Sequence, residues 1–563
     1  MATLATDLLR QRGAPAAGRT GLSTTYQRLM LMMLVFAGVT FMIVARLLFL
    51  QVFTDRSDAS ALANPLLPPR ADILDRNGLP LARTIDAWSI AVHPDKLLGD
   101  PKDVAQKLAA LMPEHSAAEY EAILRSGRTF QYLSRRAVPE LVAAVNALGE
   151  PAIVFDREPE RLYPQTSLAG HILGWTDFDG RGVSGMEKVL EGRLTDPALR
   201  GTPVELSIDS RVQAAMESEL GAAVTKFSAE GATGIVLDIQ TGELIAMASA
   251  PNFNPNAAGK SDANALFNRA TLGVYELGST FKPLTVAAAI DAGVIKSVAQ
   301  RYPSGAPIAI GRFRIKDDHP IAGSANIVET LVHSSNIVTA QIADQMGEAR
   351  MQATFKALGF NEPAHVELEK GRPLYPREWS RATVLTSGFG HGIAVSPLHL
   401  ASAYAALVNG GIWRPATLMK VKNAPAGRRV YSEQTSMTMR KLLRMIVLEG
   451  TGRKGEAPGF RVGGKTGTAE KVSSSGGYSK KVNVSTFAAA FPMDNPRYVV
   501  IAMLDAPHAT ADTFGFTTAA WNAAPVVSRV ISRTGPLLGV LPDDHRDIDV
   551  SAMMALVGKQ QGH

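Results

Sequence analysis

Hydrophobic positions along this chain fall into three patterns. The first is one unbroken block. Leu29 to Ala45, LMLMMLVFAGVTFMIVA, runs 17 residues without a charge or a strongly polar group. A membrane-spanning helix needs about 17–25 such residues. Arg46 follows, and an arginine there can snorkel to the interface while the helix continues through LLFLQVF. The preceding flank carries Arg10, Arg12, Arg19 and Arg28 against one acid, Asp7. The positive-inside rule then places residues 1–28 in the cytoplasm and the chain after about residue 50 outside. The alternative is a cleaved signal peptide, and Ala61-Leu62-Ala63 reads as a cleavage triplet. The block is longer than the usual signal core of about 7–15 residues, and the triplet lies far downstream of it. We therefore expect an uncleaved single-pass anchor over residues 29–50.

The second pattern, over residues 51–225, is mixed. ANPLLPPRADILDRNGLPLART (Ala63–Thr84) is rich in turn signals and then reads as short extended pieces. DVAQKLAALM and ELVAAVNAL place apolar residues at helical spacing. GTPVELSIDSRVQAAMESEL passes from strand to helix near Asp209. The third pattern starts near Gly231. TGIVLDI and LIAMASA are β-branched-rich runs joined by QTGE, a hairpin signal. Helical stretches fill the middle: KPLTVAAAIDAGV, NIVETLVHSSNIVTAQIADQM and PLHLASAYAALVNGG. GGKTGTAEKV, VSTFAAAFP and RYVVIAMLDA close it as strands. A hairpin, then helices, then strands predicts an α+β domain whose terminal strands share one antiparallel sheet. The expected divisions are a tail over 1–28, the anchor over 29–50, an external domain over 51–225, a second over 226–540 and a polar tail over 541–563.

Composition narrows the chemistry. The chain has 563 residues, is 46% apolar and 20% charged, carries a net charge of +6 and has no cysteine. Disulfides, thiolate metal sites and cysteine nucleophiles are excluded. The basic residues are scattered rather than striped with aromatics, so no nucleic-acid partner is expected. His171, His319, His333, His391 and His399 show no ligand spacing, and neither metal nor cofactor is expected.

Three motifs carry the candidate chemistry. In YELGSTFKP, Ser279 stands three residues before Lys282, so a helix would put both on one face. A serine hydroxyl is a weak nucleophile until a base takes its proton. Lysine is such a base only if its pKa falls far below the free value of about 10.4. Alone, this spacing reads more readily as a helix start followed by a solvated charge. In HSSNIVTA, Ser334 and Asn336 offer a proton relay and a carboxamide. A second S-x-N, Ser324-Ala325-Asn326, reads instead as an N-cap at Ser324. In GGKTGTAEKV, Lys465, Thr466, Gly467 and Thr468 lie on a predicted strand, where a cation and hydroxyls suit a carboxylate. Gly459 to Thr466, GFRVGGKT, also matches the phosphate-loop pattern letter for letter. A phosphate loop needs a strand before it and a helix after it, and neither is expected here.

S-x-x-K, S-x-N and K-T-G in this order are the set shared by penicillin-binding proteins and class A β-lactamases. NRATLGVYELGSTFKP, VHSSNIVTAQIA, TSGFGHGIAVSPLHLASAYAALVNGG, EGTGRKGEAPGFRVGGKTGTAEK and the upstream PPRADILDRNGLPLA resemble class B penicillin-binding proteins. The SSN and STFKP contexts look most like the division-specific (FtsI-type) transpeptidase. The resemblance runs from the anchor to about residue 510, with Leu277 where a proline is usual and Ala71 where a glycine is usual.

It implies a penicillin-binding fold on an extended pedestal, with the catalytic part in the periplasm and the anchor in the inner membrane. It implies that Ser279 is acylated by a peptidoglycan stem peptide, with Lys282 as base, Ser334 as relay and Lys465 tuning the site. Asn336, Thr466, Gly467 and Thr468 would bind substrate. Backbone N–H groups of Ser279 and Thr468 would form an oxyanion hole. It further implies β-lactams as ligands, no glycan-polymerising site, and as partners a SEDS-type (FtsW-like) polymerase and other divisome membrane proteins. An elongation-type transpeptidase, a D,D-carboxypeptidase, a β-lactam sensor and an inactive divisome scaffold remain as alternatives.

Overall fold

The computed structural model describes residues 19–53, 69–311, 313–472 and 478–557. The chain divides after Leu67 into two compact units. The first contains the helix Arg19–Phe53, 35 residues long, or about 52 Å at helical rise. Within it Arg28–Arg46 has a mean hydropathy of 2.2 and no residue buried against protein. Apolar side chains point to every side, as lipid rather than a protein core requires. The helix extends past the expected anchor at both ends. Residues 1–18 and the triplet Ala61-Leu62-Ala63 lie outside the described residues.

The second unit begins with a small mixed sheet. DILDRNGLP makes a tight turn: Asp75 Oδ1 accepts from the Asn77 and Leu79 N–H groups, and Gly78 takes φ +85°. The chain then runs as one strand, Pro80–Val92, where short pieces were expected. Its apolar ladder continues unbroken to Val92 because it pairs antiparallel with both Gln131–Ala137 and Ile153–Leu162. Three capped or proline-started helices, Pro101–Leu111, Ala117–Leu124 and Pro139–Asn146, cover one face. Ile90, Val92, Leu108 and Tyr120 form its core.

Below this head an ionic knot closes the fold. Glu187 is fully buried and takes Arg70 at 2.6 Å and Arg161 at 2.7 Å. Arg70 also pairs with Glu191, and Arg161 donates to the Ala71 carbonyl. Ala71 itself is wholly buried, so its methyl fills core. Removing one member of a buried pair leaves an uncompensated charge and costs about 3–5 kcal/mol. Glu187→Ala leaves the buried Arg161 guanidinium without its carboxylate and Arg70 with Glu191 alone. Its thermal unfolding, followed on the full chain in detergent, is expected to show a loss of that size. A loss below about 1 kcal/mol would mean that the knot is not structural.

The larger domain is built on a five-stranded antiparallel sheet. Its spatial order is Gly463–Val472, Tyr478–Phe491, Tyr498–Asp505, Gly231–Asp238, Leu244–Ala250. The hairpin and the closing strands share one sheet, as the sequence order predicts. Tyr498–Asp505 and Leu244–Ala250 are buried at every position. That explains their continuous apolar runs: helices cover both faces. Ser210–Phe227 and Ala523–Thr534 pack on one face, and Pro397–Val408 lies against the other.

One expected cap is corrected. Ser324–Asn326 is a strand, and the helix Ile327–Val332 is capped by Asn326 in a reciprocal box with Glu329. A cap must immediately precede the first helical turn. Ser324 stands two residues too early and accepts from Arg301 instead. The phosphate-loop string runs into the strand Gly463–Val472, not into a helix.

Candidate active site

Gly278–Phe281 forms a single 3-10 turn that feeds the helix Lys282–Asp291. In a 3-10 turn residues i and i+3 eclipse, so Ser279 and Lys282 project to the same side. Gly278 sits at φ +53°, and its N–H donates to the Gly390 carbonyl at 3.3 Å. Tyr404, buried in the helix Pro397–Val408, donates to Thr280 O at 2.9 Å. The turn is thus held from behind by groups far away in sequence. Ser279 is half-buried, and its hydroxyl has no hydrogen bond among the described residues.

Lys282 is 0% exposed. Its Nζ donates to Ser334 Oγ at 3.0 Å and to the Ser334 carbonyl. Burial pulls its pKa down to about 7, while Asp317 and Asp318 pull the other way. Lys465 is equally buried, and burial with the nearby Lys282 charge holds it well below the usual lysine value. Lys465 Nζ also donates to Ser334 Oγ at 3.0 Å, and to Thr466 O at 3.0 Å. Both lone pairs of the Ser334 hydroxyl are therefore engaged, which leaves its proton as the group to give away.

Ser334 has φ +61°, a left-handed conformation that a non-glycine residue keeps only under constraint. The constraint comes from both sides. The helix Ile327–Val332 ends just before it, and the helix Asn336–Ala357 starts just after it. Asp317, a residue the sequence reading missed, anchors the second start. Its carboxylate accepts from Ser335 Oγ at 2.7 Å and from the N–H groups of Asn336 and Ile337 at 2.5 and 3.0 Å. An anion suits a helix N-terminus. Asn336 Nδ2 donates to Lys316 O at 2.9 Å, so the amide oxygen is the part left to meet a ligand.

Gly463–Val472 is an edge strand, paired only with Tyr478–Phe491. The Ser279 turn lies across it. A Cβ on Gly467 would fall 2.3 Å from Leu277 O and 2.8 Å from Thr280 Cγ2, and one on Gly278 would fall 2.9 Å from Thr468 O. The glycines permit this close approach. Thr466 Oγ1 lies 2.7 Å from Thr451 Oγ1, and Thr468 Oγ1 accepts from the Ala519 N–H at 3.2 Å. Thr451 and Ala519 carry no sequence signal beyond proximity to the motif and were also missed. His391, read from sequence as structural or exposed, is pulled below its ordinary value by burial and by the Lys282 charge.

The geometry gathers three motifs, spread over nearly two hundred residues, into one cleft. Comparison with known proteins gives the family. The penicillin binding protein transpeptidase domain matches residues 232–527, and the penicillin-binding protein dimerisation domain matches residues 65–196. The probable peptidoglycan D,D-transpeptidase FtsI of Caulobacter vibrioides is 40% identical over 502 residues, 87% of this chain and 85% of that protein. The peptidoglycan D,D-transpeptidase FtsI of Escherichia coli K12 is 30% identical, with 84% of each covered. The crystal structure of penicillin-binding protein 3 from Mycobacterium tuberculosis in complex with aztreonam is similar at a TM-score of 0.67 and 25% identity, covering 85% of this chain and 98% of that one.

Proposed function

Because the chain belongs to the penicillin-binding proteins, as a class B D,D-transpeptidase of the division type, we propose that Ser279 is its acylated serine, with Lys282 and Ser334 moving the protons and Lys465 tuning the site. The enzyme cross-links peptidoglycan stem peptides in septal wall synthesis and is a β-lactam target.

The observation that carries the assignment of roles is the double donation onto Ser334 Oγ, 3.0 Å from each lysine. A neutral amine has two N–H groups and one lone pair. Lys282 spends both N–H groups on Ser334, which leaves the lone pair for the Ser279 proton. Ser279 Oγ attacks the carbonyl between the two terminal D-alanines as Lys282 takes that proton. The developing oxyanion faces the N–H groups of Ser279 and Thr468; such a donor contributes about 2.7–4 kcal/mol. When the C–N bond breaks, Ser334 gives its proton to the leaving D-alanine nitrogen and is resupplied by Lys282. The acceptor amine then attacks the ester, and its proton returns to Ser279 by the reverse route. Lys465 holds Ser334 in place. Asn336 accepts from the donor peptide's amide, Thr466 and Thr468 bind its carboxylate, and Gly467 lets it lie against the strand edge.

The N-terminal apolar helix is a single-pass membrane anchor. The arginine-rich flank supports a cytoplasmic N-terminus and a periplasmic catalytic domain. On the same reading, residues 51–225 are a pedestal and 226–540 the transpeptidase domain. An FtsW-like polymerase and other divisome membrane proteins are its partners. The test is mass spectrometry of the purified chain after exposure to a penicillin. One adduct is expected, on the peptide that contains Ser279. An adduct elsewhere would overturn the assignment.

A further inference from the structure

Two strings in the sequence match motifs whose usual chemistry has no part in the site: the S-x-N copy Ser324-Ala325-Asn326 and the phosphate-loop match Gly459 to Thr466, of which the site takes only Lys465 and Thr466. The structure gives both of them the same neighbour. That neighbour is the stretch 541–557, expected from sequence to be a polar tail.

The stretch is held at intervals along its length, with most of its side chains left exposed. Near its start, Asp543 N–H donates to Gly459 O at 2.8 Å, and Arg461 donates back to Asp543 O. Arg461 and Arg546 share the Asp494 carboxylate at 2.9 and 2.6 Å. In the middle, Asp547 takes Arg444 through two nitrogens at 2.8 and 2.7 Å. Met553 then buries itself in the main core, flanked by Ile548, Val550, Leu556 and Val557. At the end, Asn326 Nδ2 donates to Leu556 O at 2.8 Å.

Each seat leads on to a reactive side chain. Arg444 is 6% exposed and also donates to Val462 O at 2.8 Å. Val462 immediately precedes the strand that carries Lys465. Asn326 caps the short helix Ile327–Val332, and that helix delivers Ser334 in its constrained conformation. The two ends of the stretch therefore grip the approaches to Lys465 and Ser334, whose side chains must meet at 3.0 Å. A left-handed serine keeps its conformation only while its surroundings over-determine it.

We propose that residues 541–557 are a strap that holds Ser334 in register with Lys465, with Asn326 and Arg444 as its positioning residues. The strap rests on the proton-transfer roles given above. It touches no substrate; it acts through the two side chains whose approaches it fixes. The rejected motifs are its seats rather than vestiges of other chemistry.

The test separates the cap from the strap. In Asn326→Asp a carboxylate oxygen still accepts from Glu329 N–H and so still caps the helix. The donor to Leu556 O is gone. Arg301, 3.2 Å from Glu329, is the nearby cation, and any cost of the added charge is read separately in the thermal midpoint, with rates taken well below it. The full chain in detergent is labelled with a fluorescent penicillin, and its acylation rate and thermal midpoint are measured together. Asn326→Asp is expected to acylate about tenfold more slowly at an unchanged midpoint, since small misplacements of reacting groups cost that much or more. A chain ending at Val540 is expected to be slower still. Adding Asn326→Asp to it should change nothing further, because both act through one contact. Wild-type rates in Asn326→Asp, or a rate loss that only follows a falling midpoint, would overturn the strap. So would full additivity. If the shortened chain does not fold, Asn326→Asp decides alone. An adduct away from Ser279 would instead overturn the assigned chemistry, so the two failures are distinguishable.

Discussion

Ser279→Ala is expected to abolish labelling by a fluorescent penicillin and to fail to support septal growth in a depleted strain. Loss of a nucleophilic serine costs on the order of 10⁶-fold in turnover. The variant is unusually clean because of where the hydroxyl lies. It is half-buried, takes no hydrogen bond among the described residues, and stands on a turn held through backbone groups and Tyr404. Stability should therefore change by no more than about 0.5 kcal/mol. The cleft keeps Lys282, Ser334 and Lys465, so reversible binding of a β-lactam should survive while the covalent adduct does not. Equal labelling of variant and wild type would remove Ser279 from the mechanism. Unlabelled protein that still supports division would favour a scaffold over an enzyme.

The side chains proposed to react could be singled out because their spacing is local. Ser279 and Lys282 are one turn apart, Ser334 and Asn336 two residues apart, and Lys465 to Thr468 follow one another along a strand. The sheet was legible too, since fully buried strands read as continuous apolar runs. What failed to show was everything held by contacts without a period. Asp317 meets Ser335 from a separate loop, Thr451 meets Thr466 across a turn, and Tyr404 reaches Thr280 from more than a hundred residues away. The strap at 541–557 belongs to the same class. Its one short apolar patch follows a run of charged residues, and its ionic seats at Asp547 and Arg546 have no period, so the sequence reads as a polar tail.

Leu277, the unusual letter beside the nucleophile, acquires a physical reason. It is 1% exposed and contributes its side chain to the main core. Its φ of −98° lies beyond the range of about −65 ± 15° that a proline ring allows. The turn at Gly278 does not need a ring to set its entry, because Leu277 O already accepts from Thr280 Oγ1 at 2.9 Å. Core packing and this bond fix the same residue that a proline would stiffen.

Lys282→Met is the second expected large effect, and its signature is in the pH profile. In the proposed mechanism Lys282 works only as a neutral amine. Burial brings its pKa to about 7, so the acylation rate of the wild type should be level above that pH. Below it, the rate should fall about tenfold per pH unit as the lone pair is protonated. Methionine fills similar volume in a site that is 0% exposed, so the fold is preserved. Ser334 Oγ keeps its bond from Lys465, but nothing accepts the Ser279 proton. A positioned base contributes about 10²–10⁴-fold, and the variant should lose that factor together with the limb near pH 7. A limb that persists in Lys282→Met would belong to another group, Lys465 or His391, and would take the base role from Lys282. Asp317→Asn supplies the sign check. Asp317 raises the Lys282 value, so removing its charge favours the neutral amine. The limb should then slide to lower pH while the maximal rate drops, because the start of the Asn336–Ala357 helix has lost its anchor. A limb that moved to higher pH would contradict the field of Asp317 on Lys282 and, with it, the assignment of that limb to the lysine.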